Sequence, residues 1–567
     1  MTELALTKLT QTDTAKYVAK ILSIGFKQVN STLTLLNEGS TVPFISRYRK
    51  EITGELDEVQ IRDIQSTAKK VQDLADRKNT VLKAIADQGQ LTPDLKSAIQ
   101  KAETLQIVED LYLPYKQKRR TKAMIARENG LQPLADFVIT HITADIPSDN
   151  YINENLPTKS DVLAGVHEIL AEQIGENAIY RQWLRTRMGT AGVLVSNLKR
   201  GGQSKDEQEV YSQYYDYSAP IKTLLENKFR ILAINRGEKD GVISVKIDFP
   251  EARMNHFIQT KELDGQAAFG PGYDILRLAI EDAYKRFIQP AVEREIRQDL
   301  TVQAQNQAIK VFGDNLFHLL MQAPLKGKIV MGFDPGFRTG SKLAIIDEHG
   351  KFLKKQVIYP HKPANEKQRN EAAKIFEALV RDYNVELIAI GNGTASRESE
   401  EFVATYLPKG TQYTIVNEAG ASVYSASDEA RSEFPDLHVE ERSAISIGRR
   451  IQDPLAELIK IDPKSVGVGQ YQHDLNAKAL DEQVAHVVET AVNQVGVNLN
   501  TASVALLTHI AGLNKTLAQN IVAYRDTIGQ YTSRMQLKKV TRLGPKAFEQ
   551  SAGFLRILDG KNVLDNT

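Results

Sequence analysis

The chain has 567 residues, of which 42% are hydrophobic and 25% are charged, and its net charge is +1. This length exceeds what a single hydrophobic core can organise and predicts several globular domains. Cysteine is absent, which excludes disulfides and thiolate metal sites and is expected of a cytoplasmic protein. No stretch is apolar enough for a membrane span, and the near-neutral charge excludes a uniformly basic wrapper of nucleic acid.

Helical spacing dominates the first half of the chain. Apolar residues recur three and four positions apart over roughly the first 200 residues, which predicts helices. The polar stretch 199–220 contains paired glycines and clustered tyrosines and predicts an exposed connection. Residues 229–249 alternate well enough to predict two short strands around a charged turn. Helix is expected again from Gly272 to about Gln322.

The pattern changes at residue 328 and predicts an α/β domain up to about residue 460. The predicted strands and then the predicted helices of this domain are 328–333, 343–347, 386–391 and 412–417, and 367–382 and 397–406. An opening hairpin followed by strand–helix units favours a mixed sheet. After Gly469 the chain is expected to be helical again.

Three acidic residues of this domain stand where catalytic metal ligands often stand. Asp334 and Glu418 each close a strand-like run, and Asp453 precedes a helix that begins with proline. Carboxylates that converge from strand ends and a helix could hold Mg²⁺ or Mn²⁺ and activate water for phosphodiester cleavage. Aspartate is also common in turns and at helix N-caps. The three residues are therefore candidate metal ligands, and no other cofactor is expected.

The glycine loop Gly391-Asn392-Gly393 ends a predicted strand. Thr394 or Ser396 could cap the helix that follows. A glycine loop at a helix start can hold a phosphate, but it can equally be a structural turn. Both interpretations stay open at this point.

Two consecutive basic hairpins near the carboxyl end predict nucleic-acid binding. Each joins two helices by a tight turn, at 512–514 and at 543–546. Glycine accepts a positive φ freely, so the turns can present backbone N–H groups, and a helix start, to a phosphate. Residues 501–567 carry nine basic and four acidic side chains, a charge of about +5. The predicted contact residues are Gly512, Asn514, Lys515, Arg525, Lys538, Lys539, Arg542, Gly544 and Lys546.

Another basic run, at residues 116–122, is predicted to be either a direct contact or a solvated surface.

Six segments spread in order over essentially the whole chain resemble the bacterial Tex proteins. These segments are 41–58, 109–135, 232–238, 332–347, 391–402 and 537–557. The resemblance implies a multidomain fold that is mainly α with one α/β domain. The expected domains are a helical domain over 1–198, a central helical region with a short strand pair over 199–325, a YqgF/RNase H-like domain over 326–460 and a tandem helix-hairpin-helix domain over 461–567.

The resemblance also implies a function. Tex proteins are RNA- and DNA-binding transcription accessory factors, and the family is regarded as binding nucleic acid rather than cleaving it. By the family pattern, Asp334, Glu418 and Asp453 fall at the acidic positions of resolvase relatives. The family usually ends in an OB-fold RNA-binding module, for which this sequence, ending at Thr567, leaves no room.

The leading hypothesis is a non-catalytic, largely sequence-independent binder of RNA and DNA that acts on or near transcription. Expected partners are RNA, DNA and either RNA polymerase or the ribosome, with no membrane partner and a monomeric state. One alternative is a metal-dependent nuclease or Holliday-junction resolvase that uses the three acids. A second alternative is a protein-interaction scaffold for which nucleic acid is incidental.

Overall fold

The computed structural model describes residues 9–467, 469, 471–558, 560 and 562–566. The chain forms two compact units, the first from residues 1–33 and 63–307 and the second from residues 34–62 and 308–567. Within the described part of the chain, no helix is long and apolar enough to cross a membrane.

Helices predominate, as the sequence predicts. Helices α1 to α16 are, in chain order, Gln11–Leu22, Phe26–Asn37, Val42–Tyr48, Lys50–Thr53, Glu58–Asp87, Pro93–Lys101, Leu105–Tyr112, Lys122–Glu128, Gln132–Thr140, Lys159–Gly175, Ala178–Ala191, Ile221–Glu226, Phe229–Lys239, Glu251–Leu263, Pro271–Ala283 and Gln289–Leu320. Helices α17 to α26 are Glu366–Asp382, Ser396–Tyr406, Ala421–Ala426, Asp428–Glu433, Val439–Gln452, Pro454–Leu458, Ala477–Val495, Val504–Leu507, Lys515–Ile528 and Pro545–Ser551. Strands β1 to β10 are Val193–Leu198, Asp216–Pro220, Ile243–Asp248, Val330–Asp334, Ser341–Ile346, Phe352–Ile358, Leu387–Gly391, Gln412–Val416, Val497–Asn498 and Leu555–Arg556.

The first unit contains a small antiparallel sheet in the order β2-β1-β3. The prediction of two strands over 229–249 is wrong in its first half, because α13 covers 229–239 and only β3 is a strand. The helix forms because Ile231 and Ile234 lie three positions apart and are both buried, which places them on one helical face.

The stretch 199–220 is not a simple exposed connection, which corrects that prediction. It ends in β2, and Tyr211 and Tyr214 are buried. The carboxylate of Asp206, itself buried, accepts hydrogen bonds from the backbone N–H groups of Val210 and Tyr211. The polar composition wrongly indicated an exposed connection, because it does not show that the two tyrosines and the Asp206 carboxylate are buried and hold the segment in place.

The second unit contains a five-stranded mixed sheet in the order β6-β5-β4-β7-β8. Strand β4 pairs antiparallel with β5 and parallel with β7, so the predicted opening hairpin and mixed sheet are confirmed. Strand β6 was not predicted. It lies at the edge of the sheet and carries Lys354 and Lys355, which suit an exposed edge but break the apolar pattern of a buried strand.

Some helices begin at a side-chain cap and others do not. Asn365 and Gln368 form a capping box at the start of α17. Helix α18 instead follows Ala395, whose φ is +67°, and no side-chain hydrogen bond caps it. The prediction that Thr394 or Ser396 caps this helix is therefore wrong.

Residues 34–62 belong to the core of the second unit although they are distant from it in sequence. Helix α3 places Phe44 in one apolar cluster with Phe312, Leu537 and Phe554. Arg62 also pairs with Glu489 at 2.9 Å. The carboxyl-terminal hairpins are thus built on residues from both ends of the chain.

Candidate nucleic-acid interface

Asp334 lies at the carboxyl end of β4, opposite Lys342 of β5. Burial raises the pKa of Asp334 to about 6. A hydrogen bond from Ser443 opposes this rise, and the negative charge of Glu418 adds to it. Lys342 is buried too, and its ammonium lies 2.7 Å from a carboxylate oxygen of Glu440. The positive charge of Lys342 lowers the pKa of Asp334, so a cation of the protein already acts on this carboxylate.

The glycine loop makes room for Glu418. A Cβ at Gly391 or Gly393 would lie 2.1 Å or 1.7 Å from a carboxylate oxygen of Glu418. The Gly393 N–H donates to that carboxylate, and the Glu418 N–H donates to Asn392 Oδ1 at 3.1 Å. Burial raises the pKa of Glu418, while the Gly393 N–H and the charge of Arg450 oppose the rise. The loop therefore holds an internal carboxylate, which favours the structural interpretation over phosphate binding.

Asp453 has a different structural role from Asp334 and Glu418. It is exposed, and its Oδ1 accepts the N–H of Ala456 at 3.1 Å, so it caps α22. Among the residues that the structure describes, no three Asp, Glu, His or Cys side chains are placed to hold a metal ion. The structure therefore does not bring the three predicted carboxylates together as one group of ligands.

Two buried cations act on the remaining pair of carboxylates. Arg450 is 5% exposed, and burial lowers its pKa to about 10 although the charges of Glu457 and Glu418 oppose this. The charges of Lys342 and Arg450 lower the pKa of Asp334 and Glu418 only in part, because burial still raises the pKa of both.

The two carboxyl-terminal hairpins are copies of one another at a spacing of 30 residues. In the first, the Leu513 N–H donates to the Ile510 carbonyl at 3.0 Å, and in the second the Leu543 N–H donates to the Val540 carbonyl at 3.2 Å. Asn514 and Gly544 are the extended N-caps of α25 and α26. The two hairpins are aligned here by their backbone hydrogen bonds and N-cap conformations rather than by residue type.

Positive φ falls at equivalent places in the two hairpins. It belongs to Gly512, at +79°, in the first and to Arg542, at +66°, in the second. The glycine of the second hairpin, Gly544, has a φ of −78°. The prediction that glycine provides the left-handed residue therefore holds for the first hairpin and is wrong for the second, where an arginine adopts that conformation.

The first corner, residues 512–514, packs partly inward. A Cβ at Gly512 would lie 2.7 Å from Cβ of Gln550 on α26, so this side of the corner faces protein. Asn514 and Lys515 are exposed, and the Asn514 side chain accepts the Leu517 N–H at 3.0 Å. Only the helix start of the first hairpin is open to a ligand.

The second corner, residues 542–544, is open. A Cβ at Gly544 would meet nothing within 4 Å, and Arg542 is exposed. Lys538 and Lys539, at the end of a 3₁₀ helix (Arg534–Lys539), are exposed as well. The Lys538 ammonium lies 4.9 Å from the centre of the Phe548 ring. Three cations therefore surround an uncovered turn.

Two of the predicted contact residues already have partners inside the protein. The Arg525 guanidinium donates to the carbonyls of Leu499 at 3.1 Å and Ala502 at 2.8 Å. The Lys546 ammonium donates to the carbonyl of Glu38. Two further charged residues of this segment, Asp559 and Lys561, lie outside the described residues.

The basic run at residues 116–122, in the first unit, faces acidic side chains. Lys118 pairs with Glu176, and the Lys122 ammonium lies 3.4 Å from a carboxylate oxygen of Glu168. These pairs neutralise part of the run, which favours the solvated-surface interpretation.

These features define a class of protein: a mainly helical, multidomain chain in which a mixed-sheet α/β domain precedes a tandem helix-hairpin-helix domain. Four family models match the chain in order. They describe a Tex-like protein N-terminal domain (residues 12–86), a Tex central region (143–312), a Tex protein YqgF-like domain (328–452) and a helix-hairpin-helix motif (492–556). The chain belongs to the Tex family.

Relatives match over almost the whole chain. YdcI of Bacillus subtilis is 50% identical over 97% of this chain and 77% of its own length. The transcriptional accessory protein Tex of Neisseria gonorrhoeae is 43% identical over 97% of this chain and 72% of its own length. The human S1 RNA-binding domain-containing protein 1 is 38% identical over 93% of this chain and 54% of its own length.

Proposed function

We propose that this chain binds nucleic acid, largely without reading sequence, through the cations of the second hairpin corner, and that it is a non-catalytic accessory factor of transcription. The observation that carries the proposal is the uncovered turn at Gly544, beside the exposed Lys539 and Arg542. Cations that contact phosphates position a protein on nucleic acid without distinguishing its bases. The names of the relatives from Neisseria gonorrhoeae and human agree with this function.

The first hairpin adds a second phosphate contact in this proposal. Lys515 is exposed at the start of α25, whose 14 residues direct a partial positive charge toward that end. Gly512 and Asn514 shape the turn, because one fits against α26 and the other caps α25. Arg525 is excluded from the interface, since its guanidinium supports the backbone of the domain.

The test is the double substitution Lys515→Glu with Lys539→Glu. Both side chains are exposed, so the fold is expected to tolerate the change. Affinity for DNA and RNA of unrelated sequences is expected to fall together, and the slope of log affinity against log salt to decrease by about 2. Fluorescence anisotropy at several salt concentrations measures both quantities.

The matched control is Lys351→Glu with Lys409→Glu, two exposed lysines of the α/β domain. This variant changes the net charge by the same amount and is expected to keep the wild-type salt slope. If both double variants lose affinity equally, general charge and not the hairpins drives binding, and the proposal fails.

The nuclease alternative finds no specific support in the arrangement of the acids. Asp453 is occupied as a helix cap, and the charges of Lys342 and Arg450 act on the other two carboxylates. We therefore infer a non-catalytic role for the YqgF-like domain. Contacts with RNA polymerase or the ribosome, and the monomeric state, stay predictions.

A further inference from the structure

Residues 38–41 are fixed against α26, the helix that follows the second corner. Gln550 is buried, and its side chain accepts the Thr41 N–H at 3.2 Å and donates to the Gly39 carbonyl at 3.1 Å. The ammonium of Lys546 contacts the neighbouring Glu38 carbonyl. The surface of the second hairpin therefore continues onto residues from the other end of the chain.

Tyr48, at the end of α3, is held in a defined orientation but remains 40% exposed. Its ring lies 5.4 Å from that of Phe554 in an edge-to-face arrangement. Its hydroxyl lies over Gly553, where a Cβ would be 2.0 Å from the hydroxyl oxygen. Neighbouring groups thus fix the ring while a large part of it faces solvent.

Cations accompany this tyrosine. Arg47 donates to the Asn493 carbonyl at 3.2 Å but, unlike Arg525, is exposed, and its guanidinium lies 5.6 Å from the centre of the Phe554 ring. Burial lowers the pKa of Arg534, and the positive charges of Arg556 and Arg47 lower it further, although Asp565 opposes them. The guanidinium groups of Arg556 and Arg47 are therefore each close enough to repel that of Arg534, and a polyanion bound here would relieve that repulsion.

Two acidic residues on the same surface have partners. Glu549, on α26 between the corner and Tyr48, pairs with Arg49. The Asp565 carboxylate accepts the backbone N–H of Arg534 at 3.1 Å. These two acids and Glu38 are outnumbered by exposed cations of the surface, which include Lys538, Lys539, Arg542 and Arg47.

We propose that the nucleic-acid interface extends from the second corner along α26 to Arg47 and Tyr48, and that it takes an unpaired strand there, with a base stacked on the Tyr48 ring. An exposed aromatic ring beside cations suits single-stranded nucleic acid, because every base offers a flat face and duplex bases are not available for stacking. Helix α26 has seven residues and so is about 10 Å long, a distance that one strand spans without a break. This inference rests on the proposed function of the hairpins.

The test compares Tyr48→Leu and Tyr48→Phe in the full chain. Leucine keeps apolar contact with Phe554 but removes the flat ring, whereas phenylalanine keeps the ring. Tyr48→Leu is expected to weaken binding of a single-stranded DNA or RNA oligonucleotide by about 5- to 100-fold and binding of duplex DNA by less than about 2-fold. Tyr48→Phe is expected to bind like the wild type. Tyr359→Leu, which changes a tyrosine that is 38% exposed in the α/β domain, is the matched control and is expected to change neither affinity.

The outcomes separate this inference from the function on which it rests. A loss of affinity that is confined to single-stranded oligonucleotides supports the inference. If only single-stranded RNA or only single-stranded DNA loses affinity, the inference is also supported, and the result shows which of the two the site prefers. Equal loss on duplex and single strand, or no loss, overturns it. If Lys515→Glu with Lys539→Glu still weakens binding in that case, the hairpins remain the interface and only the extension is wrong.

Discussion

At the scale of single residues, Arg542 is the most informative position. A left-handed backbone costs a residue with a Cβ about 1–2 kcal/mol, and glycine avoids this cost. The first hairpin has Gly512 at the equivalent place, so the fold does not demand an arginine there. Strain that persists beside exposed cations is typical of a binding site.

The prediction at this scale compares Arg542→Gly with Arg542→Ala. Both remove one proposed phosphate contact and are expected to reduce the salt slope of binding by about 1. Arg542→Gly is expected to be more stable than Arg542→Ala by about 0.5–1 kcal/mol, because glycine relieves the left-handed strain but gains freedom in the unfolded chain. Hydrogen exchange of the α26 amides measures the difference. Equal protection in the two variants would show that residue 542 is not left-handed in solution.

At the scale of elements, the two hairpins pack against each other. Each uses the side chain six positions after its N-cap: Asn520 on α25 donates to the Thr541 carbonyl at 2.8 Å, and Gln550 on α26 covers Gly512. The first corner is therefore closed by the helix of the second hairpin. This explains why one corner is open to a ligand and the other only in part.

Gly512→Ala tests this packing, with Gly529→Ala as its control. Both glycines have a φ near +80°, but a Cβ at Gly529 would meet nothing within 4 Å, whereas one at Gly512 would lie 2.7 Å from Gln550. Both variants place alanine at a positive φ, and the overpacking at Gly512 is expected to cost about 1–3 kcal/mol of further unfolding free energy. Urea denaturation monitored by hydrogen exchange in α25 and α26 measures this loss. Similar losses in both variants would contradict the packing.

At the scale of the whole molecule, the second unit joins residues about 500 positions apart. Gln550→Ala leaves the Thr41 N–H and the Gly39 carbonyl without their side-chain partner, and each hydrogen bond lost contributes about 0.5–1.5 kcal/mol. Exchange of the α3 amides is therefore expected to accelerate. Asn520→Ala, at the equivalent position of the first hairpin, is expected to leave α3 unchanged. If both variants loosen α3 equally, the contact with residues 39–41 does not hold this segment.

The sequence predicts features with local signals and misses those set by distant partners. Buried apolar runs revealed β4 and β7, and the charged edge strand β6 lacked that pattern. The acids at 334 and 418 were found at strand ends, but the cations beside them, Lys342 and Arg450, come from other elements and carry no motif. The role of α3 at the hairpins could not be predicted, because nothing near residue 41 indicates contact with residue 550.

The interleaving of the second unit has a consequence for how the protein is made. Arg62 pairs with Glu489, 427 positions further along the chain. At about 5–20 residues per second, translation delivers that partner about 20–90 seconds after Arg62 itself. During this interval the hydrophobic cluster that contains Phe44 is incomplete, because its other members have not yet all been synthesised. Residues 63–307 of the first unit are synthesised in the same interval as one continuous stretch. The core under the hairpins can therefore be completed only after both separate parts of the second unit have been synthesised.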